Sequence, residues 1–526
     1  MNRRKFSFGT LLMAAVILLY LGTFLLFNTL GFAEFATADV YADTLYAMEA
    51  WDSRSIFPDG WAFGNQYYVI GTPVLAALFY GIIGSPNAAM ALATTVMTVL
   101  LLLSLDWMIR PFAAGQQRLA VAMLFLGGMT VPHAILANEG QLFFLLASYY
   151  SCYCITLFLT LGDYLRALFR PAHGRFPAGT LGSVLLLFAT GMHSLRQTAV
   201  CVLPLCALEV LRLLLCRRCH RPMRWRSVTG RVALYLLANL GGVGLMHLLD
   251  VPRTGMFAAI TWRTEGWREA AAVNGRIFAK LTGFWYAFHE EEGWLYFLLA
   301  ALFSLLLICS VVSALRRRAL PWLAMQAFFL IGLAGLLALN FFFTMTYFRT
   351  IYCFGWYAFS AVSIAYLFAA HAHPALRRTL ALLCTAGCIG NFAVGYAPDL
   401  PRCFSPEAPA VYGEIADYLC ASDCDYLYGS WWLTTLVALR TDGACRAGAS
   451  YGEIFTVLPY INPQNIYGEE ENARALYLFT AGELPAAMAA AEARGAALTE
   501  VAAFENRTYL LYRSDIPLMQ TATSSD

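Results

Sequence analysis

The feature that most constrains this chain is a series of apolar runs, each near 20 residues, separated by short loops rich in arginine. About 20 apolar residues in a helix cross a hydrocarbon core roughly 30 Å thick. The runs lie near 8–32, 87–109, 118–136, 141–165, 179–192, 197–215, 231–249, 294–315, 321–341, 350–370 and 378–397. Charged residues make up 13% of the 526, and mean hydropathy is +0.59. An ordinary soluble domain carries about 25% charge. Too few polar side chains remain to coat a water-facing surface. The net charge of +2 excludes a nucleic-acid binder held by charge, and the apolar content of 60% excludes a disordered chain. The sequence therefore predicts an α-helical polytopic membrane protein of about eleven spans.

One further apolar stretch, 67–84, decides the threading. It is short and carries Gly71, Pro73, Gly81 and Gly84. If it does not cross, 20 of the 35 basic residues fall in short loops on the side of Arg3, Arg4 and Lys5. If it crosses, 17 of those 20 move to the other side. The excess of Lys and Arg in short cytoplasmic loops favours the first arrangement. Segment 67–84 is then a re-entrant or interfacial element. The N-terminus is expected in the cytoplasm and the C-terminus outside a plasma membrane. The first run is too long for a signal-peptide core and lacks a small-x-small cleavage site, so it reads as a retained span.

This threading leaves three outer regions: a first loop over 33–86, a second over 250–293 and a tail over 399–526. The boundary between a membrane domain, 1–398, and the tail is drawn there. The tail reads as alternating elements. Helices are expected over 408–419, 431–440 and 484–494, and strands over 425–429, 475–480, 498–504 and 508–513, the last two flanking a turn at Asn506-Arg507. That pattern predicts a small α/β domain. Its four cysteines, Cys403, Cys420, Cys424 and Cys445, would allow two disulfides on an oxidising side, and free thiols fit as well. Cys216, Cys219 and His220 spell a haem-attachment pattern, but it falls by chance in the most basic inner loop.

The few charges left near the outer surface form the candidate site. Asp39 and Asp43 follow the first span and would share one helix face, one turn apart. Two such carboxylates can hold a divalent metal or divide acid and base roles, and the plainer reading is that they cap a helix in a solvated loop. Glu139 is the only charged residue between Leu119 and Thr160. Its alternative is an ordinary place at the water interface. His193 and Arg196 lie one turn apart after the fifth span, and Arg349 stands between Tyr347 and Tyr352. Arginine suits a lipid phosphate through paired hydrogen bonds, and it also snorkels to headgroups. The run His289–Glu292 reads as a solvated loop face or a metal or sugar contact.

Together these residues resemble the GT-C superfamily of multi-spanning membrane glycosyltransferases, which use lipid-phosphate sugar donors. The resemblance rests on the acids Asp39 and Asp43 after the first span, on the segment Gly71-Thr72-Pro73-Val74-Leu75 through Phe79-Tyr80-Gly81, which looks like the family's membrane-surface helices, and on Glu139 after the third span. It is strongest over about 8–165. Many members have adjacent first acids, whereas Val40 follows Asp39 here. The resemblance implies inverting transfer of a sugar from a polyprenyl-phosphate donor to a glycan, lipid or protein acceptor. Asp39 would be the general base, with Asp43 and Glu139 catalytic or ligating a divalent metal (Mg, Mn or Ca). Arg196 and Arg349 would steady the leaving phosphate, with His193, Tyr347 and Tyr352 beside them, and Trp51 and Trp61 would stack on sugar faces. The competing readings are a lipid-linked glycan polymerase or ligase, a flippase, and a non-catalytic envelope-assembly scaffold. No paired repeats of the kind transporters carry are present in the sequence.

Overall fold

A helix of 20 residues is about 30 Å long, so length alone sorts the apolar runs into those that can cross and those that cannot. The computed structural model describes residues 8–64, 66–128, 148–170, 178–219, 228–249, 251, 261–289, 293–344, 348–370, 374–405, 410–450, 452–458 and 462–520. Glu139, Tyr347, His220 and Glu290–Glu292 lie outside them.

The helices used below are α1 (Phe8–Asn28), α2 (Ala38–Asp52), α3 (Thr72–Ile83), α4 (Pro86–Ile109), α5 (Gly115–Gly127), α6 (Ser148–Phe169), α7 (Ala178–His193) and α8 (Leu203–Arg218). They continue as α9 (Gly230–Leu249), α10 (Trp267–Thr282), α11 (Gly293–Arg316), α12 (Leu320–Phe342), α13 (Gly355–Ala370), α14 (Pro374–Gly395), α15 (Ala410–Ala421), α16 (Trp431–Arg440) and α17 (Leu484–Glu492). Among the described residues, eight helices are long and apolar enough to cross a membrane. The sequence led us to expect eleven spans. Two of the others, α7 and α13, are apolar helices of 16 residues, and a third, 118–136, is described only through residue 128. Helix α3 has 12 residues, about 18 Å, and cannot cross.

The chain divides into two compact units. One comprises residues 1–25, 97–249 and 258–400, the other 26–96, 250–257 and 401–526. In the first, close approach of backbones replaces side-chain packing between α7 and α9. A Cβ at Gly242 would fall on the Phe188 carbonyl oxygen, and one at Gly191 on that of Asn239. Small residues at such contacts are what hold helices together in lipid, where burial gains nothing. Polar side chains add to this. Gln326 of α12 donates to Ser310 of α11 at 2.9 Å and to Ser363 of α13 at 3.2 Å.

Three of the arginines that orient the chain are also ion-paired. Arg118 holds Asp106 through two bonds of 2.6 Å, and Arg212 holds Glu209 through two more of 2.6 Å. Arg231 meets Asp163 at 3.2 Å, where Thr180 and Tyr235 also donate. Asp163 and Glu209 are buried and Asp106 is half-buried, and each has its charge met.

The second unit is built on five strands, β1 (Tyr426–Ser430), β2 (Arg446–Ser450), β3 (Ala475–Thr480), β4 (Leu498–Phe504) and β5 (Tyr509–Ser514), in the order β2-β1-β3-β5-β4. β1 is parallel to both β2 and β3, and β5 is antiparallel to β3 and β4. Alternation along β3 explains the layers. Leu476 and Leu478 face one core with Ile415, Leu419 and Val437, while Tyr477 and Phe479 face another with Ala487 and Ala491. Both faces are buried, so helices cover both. Of the four cysteines there, Cys424 and Cys445 meet, Sγ to Sγ 3.9 Å, and Cys420 is exposed.

Candidate active site

In the second unit the acids sit on α2, the first long helix after α1. Thr37 takes the extended conformation that starts the helix, and Asp39 lies in its first turn, where the helix dipole favours a carboxylate. The i, i+4 spacing puts Asp39 and Asp43 on one face. Asp39 is half-buried and Asp43 fully so, at 1% exposure. Burial pushes the Asp43 carboxyl up to about 8, and the neighbouring Asp39 adds to this, while Tyr68 acts in the opposite sense as a hydrogen-bonding neighbour. Neither carboxylate oxygen has a donor at full hydrogen-bond geometry among the described residues. Burial and the lack of a donor at full geometry both favour the protonated form of Asp43 near neutral pH.

Aromatic rings wall this turn. Tyr46 donates to the carbonyls of Ile56 at 2.8 Å and Tyr68 at 3.2 Å, and its ring packs on Trp61, Phe63 and Tyr68. Trp61 is buried, and its strand residues Trp61–Ala62 pair with Asn462–Pro463. Trp51 is half-buried, packed against Gly81 with Arg54 over its ring at 4.9 Å. Helix α2 is latched to the edge strand β2. The Ala447 N–H donates to the Tyr41 hydroxyl at 2.7 Å, and Arg446 binds Glu49 at 2.7 Å and Asp52 at 3.2 Å. Burial raises Glu49, Arg446 pulls it back down and Asp52 raises it further.

In the first unit the structure brings four expected residues together. The Arg196 guanidinium lies 4.8 Å from the ring centre of Tyr150, 5.4 Å from Tyr153 and 5.5 Å from Tyr352. Tyr150 and Tyr352 meet edge to face at 6.1 Å, and Arg349 lies within electrostatic reach of Tyr150. His193 packs edge to face on Tyr153 at 5.8 Å. Ser194 takes the Arg196 N–H at 3.3 Å and shares a hydrogen bond with the Tyr153 hydroxyl at 3.2 Å. Two guanidinium groups beside a cluster of phenols are chemistry suited to an anion.

Sequence reasoning missed Tyr150, Tyr153 and Ser194. The run Ser148-Tyr149-Tyr150-Ser151-Cys152-Tyr153, which opens a span on the side of the candidate site, was the available signal. It also missed Tyr41 and Arg446, for which spacing gives none. Among the described residues no three His, Cys, Asp or Glu side chains cluster as metal ligands. A hard cation takes ionised carboxylates, and of Asp39 and Asp43 only Asp39 is half-buried and outside the sealed core.

No protein-family model and no curated protein matches the sequence. Solved structures do match the fold. ArnT from Cupriavidus metallidurans, a GT-C glycosyltransferase, superposes in its apo state with a TM-score of 0.54 at 12% identity, over 97% of this chain and 98% of that one. The same protein bound to undecaprenyl phosphate gives 0.53 at 13% identity, over the same shares. An Archaeoglobus fulgidus oligosaccharyltransferase gives 0.46 at 11% identity, over 83% of this chain and 62% of that chain. This chain is a multi-pass membrane protein with the GT-C fold.

Proposed function

We propose that the chain is an inverting glycosyltransferase that takes a sugar from a polyprenyl-phosphate donor and places it on an acceptor hydroxyl outside the plasma membrane. The observation that carries this reading is the pair Asp39 and Asp43 on the first long helix after the first span of a GT-C fold. One carboxylate is reachable, and the other is sealed and holds a proton.

In this reading Asp39 takes the acceptor proton as the acceptor oxygen attacks the anomeric carbon. The bond from that carbon to the phosphate oxygen breaks, and polyprenyl phosphate leaves. Asp43, neutral at the start, spares Asp39 a second negative charge one turn away. Arg196 and Arg349 are the groups suited to the charge that develops on the leaving phosphate. A divalent cation would supply further positive charge to that phosphate, and binding it at Asp43 would require that carboxyl to give up its proton. That ArnT has been crystallised with undecaprenyl phosphate supports a donor of this lipid class.

The test is release of free polyprenyl phosphate from a panel of polyprenyl-phosphate sugars, using the protein in lipid nanodiscs with an envelope extract as acceptor. Asp39→Asn should lower turnover at least about 100-fold, the usual scale for a general base, with thermal stability unchanged. Full turnover by that variant removes Asp39 from the mechanism. The convergence of Arg196, Arg349 and His193 favours one second reading, a lipid-linked glycan polymerase or ligase. Transfer that survives Asp39→Asn but not Arg196→Ala would select it.

A further inference from the structure

Helix α16 is buried on every side but one. Of its ten residues, only Trp432, Leu436 and Arg440 escape burial, and they recur every four residues as a single stripe. Trp432 is 64% exposed, a large apolar ring that water covers at a cost. We infer that this stripe rests in the interface of the lipid bilayer and holds the α/β part of the chain against the membrane surface.

The chain's own anchor points carry the argument. Both ends of α16 are tied to residues that follow the first span closely. At one end Trp431 packs with Ala38 and Ala42 of α2. At the other Arg440 reaches Glu34 at 3.9 Å, and Arg402 binds the same carboxylate at 2.8 Å. Glu34 stands six residues beyond Asn28, where α1 ends, and six residues reach at most about 20 Å. The reach is shorter here, because Phe32–Phe35 is a helical turn. Helix α16 is about 15 Å long, and its two ends are thus held by residues 6 to 14 positions beyond the end of α1.

The chemistry of the stripe agrees. Tryptophan concentrates at headgroup level, leucine enters the acyl boundary, and arginine keeps its stem in the boundary with its charge at the phosphates. The two segments beside the anchor also expose large apolar side chains, Leu30 at 61% and Phe404 at 65%. This inference is independent of the reaction proposed above.

The test places the photocrosslinker p-benzoylphenylalanine at position 432 of the full chain, in nanodiscs of phosphatidylethanolamine and phosphatidylglycerol. The control position is Val501, exposed on β4 at the far edge of the sheet. A bilayer-seated stripe should give at least about fivefold more phospholipid adduct at 432 than at 501. Equal yields overturn the inference, as does a crosslink from 432 to a second copy of the chain. A second measurement needs no unnatural residue. Acyl-brominated lipid should quench the emission that Trp432→Phe removes, and an unquenched difference spectrum overturns the inference.

Discussion

At the scale of single residues, Asp43 has the sharpest consequence. Its carboxyl titrates near 8 in the folded chain and near 4 when unfolded. Below pH about 4 both states hold the proton, and the residue leaves stability unchanged. Between there and about 8 the unfolded chain ionises and the folded one does not, so stability falls as pH rises. Asp43→Asn removes that slope, while the cost of burying an amide is the same at every pH. The melting temperature of the variant relative to wild type should therefore climb from pH 5 to pH 8, by the equivalent of about 3–4 kcal/mol. Parallel profiles would mean that the carboxyl is solvated. Arg196 makes a separate prediction. Arg196→Lys keeps the charge but loses the planar group that lies among three rings, so KM for the lipid donor should rise about tenfold with kcat less affected. The acids were legible in the sequence because an i, i+4 pair needs only a helix. Arg196 and Arg349 were legible because the threading put their loops on one side. Tyr41 and Arg446 were not, because they join segments about 400 positions apart, and nothing local marks a contact of that range.

At the scale of elements, the latch between α2 and β2 fixes the helix that carries the acids. Edge strands leave a row of backbone groups without partners, and here the Tyr41 hydroxyl accepts from one of them, the buried Ala447 N–H. Tyr41→Phe strands that N–H and should cost about 1–3 kcal/mol. If α2 depends on the latch, transfer falls in Tyr41→Phe although the residue touches no substrate. A fall in melting temperature with unchanged kcat would assign it a structural role only. In the other unit, Gly242→Leu forces α9 away from the Phe188 carbonyl and should cost about 1–3 kcal/mol, read as a lower melting temperature in nanodiscs. Elements were read well where pattern was strong. Helix α16 and strand β3 fall on the expected residues 431–440 and 475–480. Strand β2 was missed because Arg-Ala-Gly-Ala-Ser has no β-branched or aromatic residue, so its pairing with β1 supplies what propensity does not.

At the scale of the whole molecule, contacts inside one unit constrain the threading more tightly than charge does. Tyr68 meets Tyr46 at one end of segment 67–84, and at the other Ser85 donates to Asp442 at 3.0 Å. Both ends thus belong to a single compact unit, so the segment enters and leaves on one side of the membrane. The Tyr41–Ala447 bond extends the same logic. Residues 41 and 447 share a side, and the chain between them must cross an even number of times. Ten of the eleven expected runs lie in that interval, and counting 67–84 as a crossing would make the number odd. With α1 as the remaining crossing, the N-terminus is expected opposite the tail. The basic loops choose between the two orientations that parity allows, and two exposed cysteines can test the choice. Cys219 stands in the most basic loop and Cys420 in the tail. A membrane-impermeant maleimide added to intact cells should label Cys420 and spare Cys219, and permeabilisation should open Cys219. Cys420→Ser and Cys219→Ser variants assign each signal. The reverse pattern would place Asp39 in the cytoplasm and defeat a reaction outside the membrane. Labelling of both in intact cells would break the parity itself, and with it the pairing of α2 and β2 on which the candidate site depends.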